Sequence, residues 1–82
     1  MVPLPDNFST VSDSLICFAN EYRGRVSIRI ATVYKDRESG DMALGRGVSV
    51  PVKEFESFVE NLQDAAPEVL SEAHAMIEEA NR

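Results

Sequence analysis

The 82-residue chain has no tryptophan, one cysteine, one histidine and only two tyrosines. A single cysteine excludes an internal disulfide framework, and one cysteine with one histidine is too few for a structural metal clip. No apolar run approaches the roughly 20 residues that span a bilayer. The opening residues, Met-Val-Pro-Leu-Pro-Asp, lack the basic and apolar regions of a signal peptide. A reducing, intracellular compartment is therefore expected: the nucleus in a eukaryote, the cytoplasm or nucleoid in a bacterium or phage. A chain this short makes one domain and buries only about 60–65% of the surface its unfolded form exposes. With no disulfide or metal to help, a homodimer is the expected further source of buried surface.

What is present is unevenly charged. The net charge is −6, which taken alone argues against nucleic acid. Residues 1–50 are neutral, however, with six basic and six acidic groups. Residues 51–82 hold Lys53 and Arg82 against eight carboxylates and carry the whole −6. Within 22–37 five basic groups (Arg23, Arg25, Arg29, Lys35, Arg37) face one acid, Asp36. A phosphate chain responds to the field within a Debye length of about 10 Å more than to the total charge.

Residues 1–13, with Pro3, Pro5 and a polar Ser/Thr/Asp/Asn stretch, read as an irregular leader, and residues 14–82 as the domain. The apolar run from Ser14 to Asn20 predicts a strand. Arg25 to Tyr34 predicts a second, with Val26, Ile28 and Ile30 facing one way and Arg25, Ser27, Arg29 and Ala31 the other. Residues 35–41 contain no apolar side chain and form a hairpin loop. Met42–Leu44 and Val48–Val50 predict two short strands, or one bent at Gly45 and Gly47. The short connections favour an antiparallel meander. From Val52 the period changes: Phe55, Phe58, Val59 and Leu62 make a helical stripe, continued by Val69, Ala73, Ile77 and Ala80. Pro67 is expected to kink that helix or split it near Ala65–Ala66. The fold class is α+β: about four antiparallel strands in a curved sheet, then a C-terminal helix.

Tyr22-Arg23-Gly24-Arg25 leading into a long strand, the polar hairpin, Leu44-Gly45-Arg46-Gly47-Val48-Ser49-Val50 and a helix with Phe55 near its start form a combination. Over residues 14–77 it resembles the DNA-binding domain of the transcriptional coactivator positive cofactor four and its relatives. The resemblance implies a four-stranded antiparallel sheet with a C-terminal helix, dimerised through the helices, whose sheet ridges form channels for single-stranded DNA. It puts Tyr22 and Tyr34 at aromatic positions and Arg23 and Arg25 at the basic pair around the glycine. Arg46 falls in the glycine turn, and Phe55 at a helix packing position. This chain departs from the pattern at Asn20 and Ala31, where the family has basic residues, and at Arg29, where relatives are often acidic. The turn also lacks a lysine after Arg46 and a proline before Gly45. Binding that is weaker or more salt-sensitive than in strongly basic relatives is the expectation.

Single-stranded nucleic acid needs cations along its backbone and flat faces for its bases; stacking contributes about 1–3 kcal/mol per base with little sequence choice. Tyr22 and Tyr34 offer faces, and Arg23, Arg25, Arg29, Lys35 and Arg46 offer cations. Alternation carried straight through Gly24 puts both tyrosines opposite the arginines. Either a bulge at Gly24 re-aims Tyr22, or the tyrosines reach around an edge. The other candidates carry no chemistry. His74 lacks a second ligand, Cys17 reads as a small core residue, Glu78 and Glu79 read as a solvated helix face, and Ser12 and Ser14 lack activating partners. The expected function is non-enzymatic, cofactor-free binding of single-stranded DNA, with RNA as a second ligand, by a homodimer in transcription regulation or protection of opened DNA. Transcription or repair proteins are the expected protein partners. The alternative is a protein-interaction module that kept the scaffold and lost the nucleic-acid site.

Overall fold

A computed structural model describes residues 2–82; Met1, the first residue of the expected leader, lies outside the described residues. Four strands, β1 (Ser9–Ser12), β2 (Leu15–Tyr22), β3 (Arg25–Lys35) and β4 (Met42–Pro51), precede one helix, α1 (Val52–Ala80). The strands form one sheet in the order β1-β2-β3-β4, every neighbouring pair antiparallel. The α+β class and the antiparallel meander are as expected from the short connections.

The β2–β3 turn has two residues, Arg23 and Gly24, both at positive φ (52° and 77°). Two such residues give the mirror-image turn whose twist matches that of the flanking strands, and Gly24 supplies the second position without steric cost. No bulge forms at Gly24: β2 and β3 pair without a register shift from Leu15↔Thr32 to Tyr22↔Arg25. The β3–β4 loop is held by Asp36. Its Oδ2 accepts hydrogen bonds from the backbone N–H and the hydroxyl of Ser39, both at 3.0 Å, and its backbone N–H donates to the Asp41 carbonyl at 2.8 Å.

Of the two expected arrangements, residues 42–51 adopt the single strand. The glycines of Gly45-Arg46-Gly47 sit at a register shift, where Ala31 pairs with Gly47 but Val33 pairs with Leu44. Two residues of β4 thus oppose one of β3, the pattern of a bulge. The backbones approach closely there. A Cβ on Gly47 would overlap the Ile30 carbonyl oxygen and lie 2.6 Å from Ala31 Cα.

The leader is not irregular throughout. The Leu44 N–H donates to the Val2 carbonyl at 2.8 Å, and Pro3 bridges to Ala43 at the β4 edge. Nine residues into the chain β1 pairs with β2 at the opposite edge, so the segment between them crosses the sheet as a strap. Leu4 of this strap packs on the core cluster Ile16, Phe18 and Ala31, with Val33 and Leu44 beside it. β1 escapes the sequence pattern because Ser-Thr-Val-Ser has one apolar residue and all four positions are exposed.

α1 runs 29 residues through Pro67 without interruption, so of the two expected effects, a kink or a split, the split does not occur. Proline removes one backbone hydrogen bond, but long helix-forming stretches on both sides keep the rest. At 1.5 Å per residue the helix is about 44 Å long. It touches only β3 and β4, and no residue of it is buried. Phe55 and Phe58, half-buried in its first turns, stack with ring centroids 6.0 Å apart. Beyond them Leu62, Val69, Leu70, Met76 and Ile77 are all more than half exposed. The radius of gyration is 16.0 Å, against about 12 Å for a compact chain of this length. The surface is 7012 Å², against about 4,900 Å² for a folded monomer of this mass. The exposed apolar side chains of α1 are part of that excess. α1 is also not apolar enough to cross a membrane.

Candidate nucleic-acid interface

Residues directly opposite one another in an antiparallel pair share a face. The register therefore puts Tyr22 beside Arg25, Asn20 beside Ser27, and Phe18 beside Arg29 on one side of the sheet. Pro51 extends the second of these rows and Ser49 the third. The next row on the same side is Ile16, Ala31 and Gly47. Val26, Ile28, Ile30, Val48 and Val50 occupy the other side.

The strap divides the first side in two. Leu4 lies over the apolar rows at one end. At the other end the rows from Arg29 to Tyr22 stay open and line a cavity of about 1010 Å³, closed on one flank by Pro51–Glu54. Arg25, Arg29 and Lys53 line this basin against one carboxylate, Glu54. Among the described residues no ion pair within 4.0 Å involves Arg23, Arg25, Arg29, Lys35, Arg46 or Lys53. No carboxylate of α1 among the described residues thus contacts a sheet cation within that distance. The N-terminal end of α1 borders the basin without a side-chain cap. Its free amides carry partial positive charge, which adds to the field an anion would meet. At the basin's open end the Arg23 guanidinium lies 5.2 Å from the centroid of the Tyr22 ring, which is 67% exposed. One face of that ring is thus backed by a cation, an arrangement worth about 0.5–1 kcal/mol when exposed.

Of the seven sequence-predicted residues, Tyr22, Arg25 and Arg29 line the basin, and Arg23 joins them through the tyrosine ring. The conflict between tyrosines and arginines disappears for Tyr22. A two-residue hairpin pairs residues i and i+3 on one face, whereas alternation carried through the turn assigned them to opposite faces. The other three are elsewhere. Tyr34 pairs with Ala43 on the opposite face, in phase with Ile28 and Ile30. Lys35 pairs with Met42 at the far end of β3, beyond the strap-covered rows. Arg46 sits in the β4 bulge, its carbonyl accepting a hydrogen bond from the Thr32 hydroxyl at 3.0 Å, and does not line the basin. Sequence reasoning missed Lys53, Asn20, Ser27 and Ser49. Lys53 was hidden among helix carboxylates, and its position two residues after β4 was the available signal.

Cys17 is half-buried and unpaired, His74, Glu78 and Glu79 are exposed on α1, and the described residues hold no cluster of three metal-ligating side chains. The Ser39 N–H, then the Ser39 hydroxyl, hold the Asp36 carboxyl below the usual range. That group serves the hairpin loop and is remote from the basin. Comparison with protein-family models and with curated proteins gives no match for this chain.

Proposed function

We propose that this protein binds single-stranded DNA, and RNA of similar form, without catalysing a reaction, through the open basin of each sheet in a homodimer. The observation that carries the reading is the set of unpaired cations, Arg25, Arg29 and Lys53, sharing one open face with the exposed Tyr22 ring. Cations sharing one open face suit a phosphate backbone, and a tyrosine at the rim offers a base its face. The likeness to the positive cofactor four family supports the same reading. Transcription regulation or protection of opened DNA is the role such binding serves.

A homodimer fits the surface excess of about 2,000 Å² per chain, or about 4,000 Å² for two copies, the scale of an obligate dimer interface. The apolar stripe of α1 is the natural contact. Two basins per dimer raise modest single-site affinity through effective concentration. A second reading, a protein-interaction module, rests on the same exposed stripe and on the net charge of −6.

Fluorescence anisotropy with a labelled oligothymidine, competed by unlabelled single-stranded and duplex DNA, tests the proposal. Binding at low salt with preferential displacement by the single strand is expected. No binding to either form, together with oligonucleotide-insensitive capture of a purified transcription or repair protein, would establish the module instead.

A further inference from the structure

From Glu60 to Arg82 every residue of the chain except Ala66 is exposed, and Leu62, Val69 and Met76 are 58%, 58% and 67% exposed. Val59, Leu62, Ala66, Val69, Ala73 and Met76 follow one another at steps of three and four residues in alternation. A mean apolar spacing of about 3.5 residues is the repeat of a helix that packs along its length on another helix. Pro67 and the carboxylates Glu60, Asp64 and Glu68 fall on the opposite side of α1, which leaves this seam uncharged.

We infer that the seam pairs with the same seam of a second copy, the two helices running antiparallel and crossing beside Pro67 and Glu68. The inference rests on the homodimer proposed above and not on what the basins hold. Side-chain size selects both the partner and its direction. In the antiparallel pair Ala66 faces the partner's Val69, Ala73 faces the partner's Leu62, and Val59 faces the partner's Met76. The two-fold axis repeats each contact. Every layer then sets a smaller side chain against a larger one, so the two axes keep one separation. A parallel pair would set Ala66 against the partner's Ala66 and Leu62 against the partner's Leu62. Narrow and wide layers would alternate, which close packing disfavours. Charge permits the antiparallel pair: Glu72 falls opposite the partner's Ala65, and Leu70 opposite the partner's Gln63. The −6 of each chain therefore sets no carboxylate directly across from another. Antiparallel helices also oppose their macrodipoles. A second copy is the occupant that the surface excess of each chain calls for.

Spin labels on Asn81→Cys, in a Cys17→Ser chain, read the direction by pulsed dipolar spectroscopy. In the antiparallel pair Asn81 stands level with the partner's Glu54, so the two labels should be about 40 Å apart. A parallel pair brings them within about 20 Å. Crosslinking reads the register. Leu62→Cys mixed with Ala73→Cys, both in the Cys17→Ser chain, should give a disulfide-linked dimer on oxidation. Leu62→Cys alone should not, since its two copies lie about 16 Å apart along the axis. A label distance below about 30 Å, or a crosslink from Leu62→Cys alone, overturns the antiparallel contact while leaving a homodimer. A mixed sample that forms no crosslink overturns the seam pairing in the same way. No dipolar coupling, with sedimentation at the single-chain mass, refutes the homodimer and the contact with it; strand binding by the basin is read separately by anisotropy.

Discussion

Tyr22 stands directly across the β2–β3 hairpin from Arg25, and the two side chains share the face that bears Arg29. The two-residue turn at Arg23-Gly24 fixes this relationship, since both turn residues adopt positive φ and the register runs on without a shift. An aromatic face and two cations are thus aligned along one side of the sheet by turn chemistry.

Tyr22→Ala should weaken single-strand binding by about 1–3 kcal/mol, the usual loss of one base-stacking platform. Tyr22→Phe should retain most of the affinity, because the ring and not the hydroxyl is used. Anisotropy titrations of both variants at one salt concentration check this. Equal loss in the two would point to the hydroxyl instead.

The cations differ in their predicted importance according to where the structure puts them. Arg29→Ala should lower the magnitude of the salt slope for single strands by about 0.7, one phosphate contact. Lys35→Ala, at the far end of β3, should leave the slope unchanged. A matched loss in both variants would mean that the strand follows a longer path over the sheet.

Gly47→Ala should destabilise the fold, because the added methyl meets the β3 backbone at Ile30 and Ala31. Overpacking of this kind costs about 1–3 kcal/mol, readable as a lower urea midpoint at unchanged m-value. Gly24→Ala meets no neighbour but sits at φ 77°, a strain costing about 1 kcal/mol.

Asp36 makes the β3–β4 loop sensitive to acid. Ser39 depresses its folded pKa, so its stabilising contribution is fully present above the unfolded value of about 3.9. That contribution is lost as pH falls through the folded pKa. Thermal melts of the protein and of Asp36→Asn should therefore differ near neutral pH and converge in acid. A constant difference across the range would contradict the assignment.

Val69→Glu and Ile77→Glu place charge on the exposed stripe of α1 and should leave the sheet folded while dissociating the dimer. Sedimentation should give about twice the 9.1 kDa chain mass for the unmodified protein and the single mass for the variants. A monomeric unmodified protein would remove the dimer from the account.

The strand pattern was legible where alternation is strong. Val26, Ile28 and Ile30 marked β3, and the shift to Phe55, Phe58 and Val59 marked α1. The failures have physical causes. Ser9–Ser12 is an edge strand with almost no apolar signal, held by pairing to β2. Gly45 and Gly47 left two short strands or one bent strand open, because their role, close approach to β3, depends on a neighbour distant in sequence. Pro67 is a strong local breaker, yet its surroundings in α1 outweigh one lost hydrogen bond. The site was legible in residue type and only partly in placement. Charge and aromatic content pointed to the 22–46 region, but only the hairpin register separates Tyr22, Arg25 and Arg29 from Tyr34, Lys35 and Arg46. Lys53 and Asn20 enter through the contact of the sheet with the start of α1 and with the strap, which no local pattern records.

The most direct measurement is the dependence of oligothymidine affinity on salt for the unmodified protein and for Arg25→Ala/Arg29→Ala. Three or four cations per basin predict a slope of log K against log[salt] between about −2 and −3, reduced in magnitude by about 1.4 in the double variant. A slope near zero, or one that the double variant leaves unchanged, would contradict the claim that the basin holds the strand.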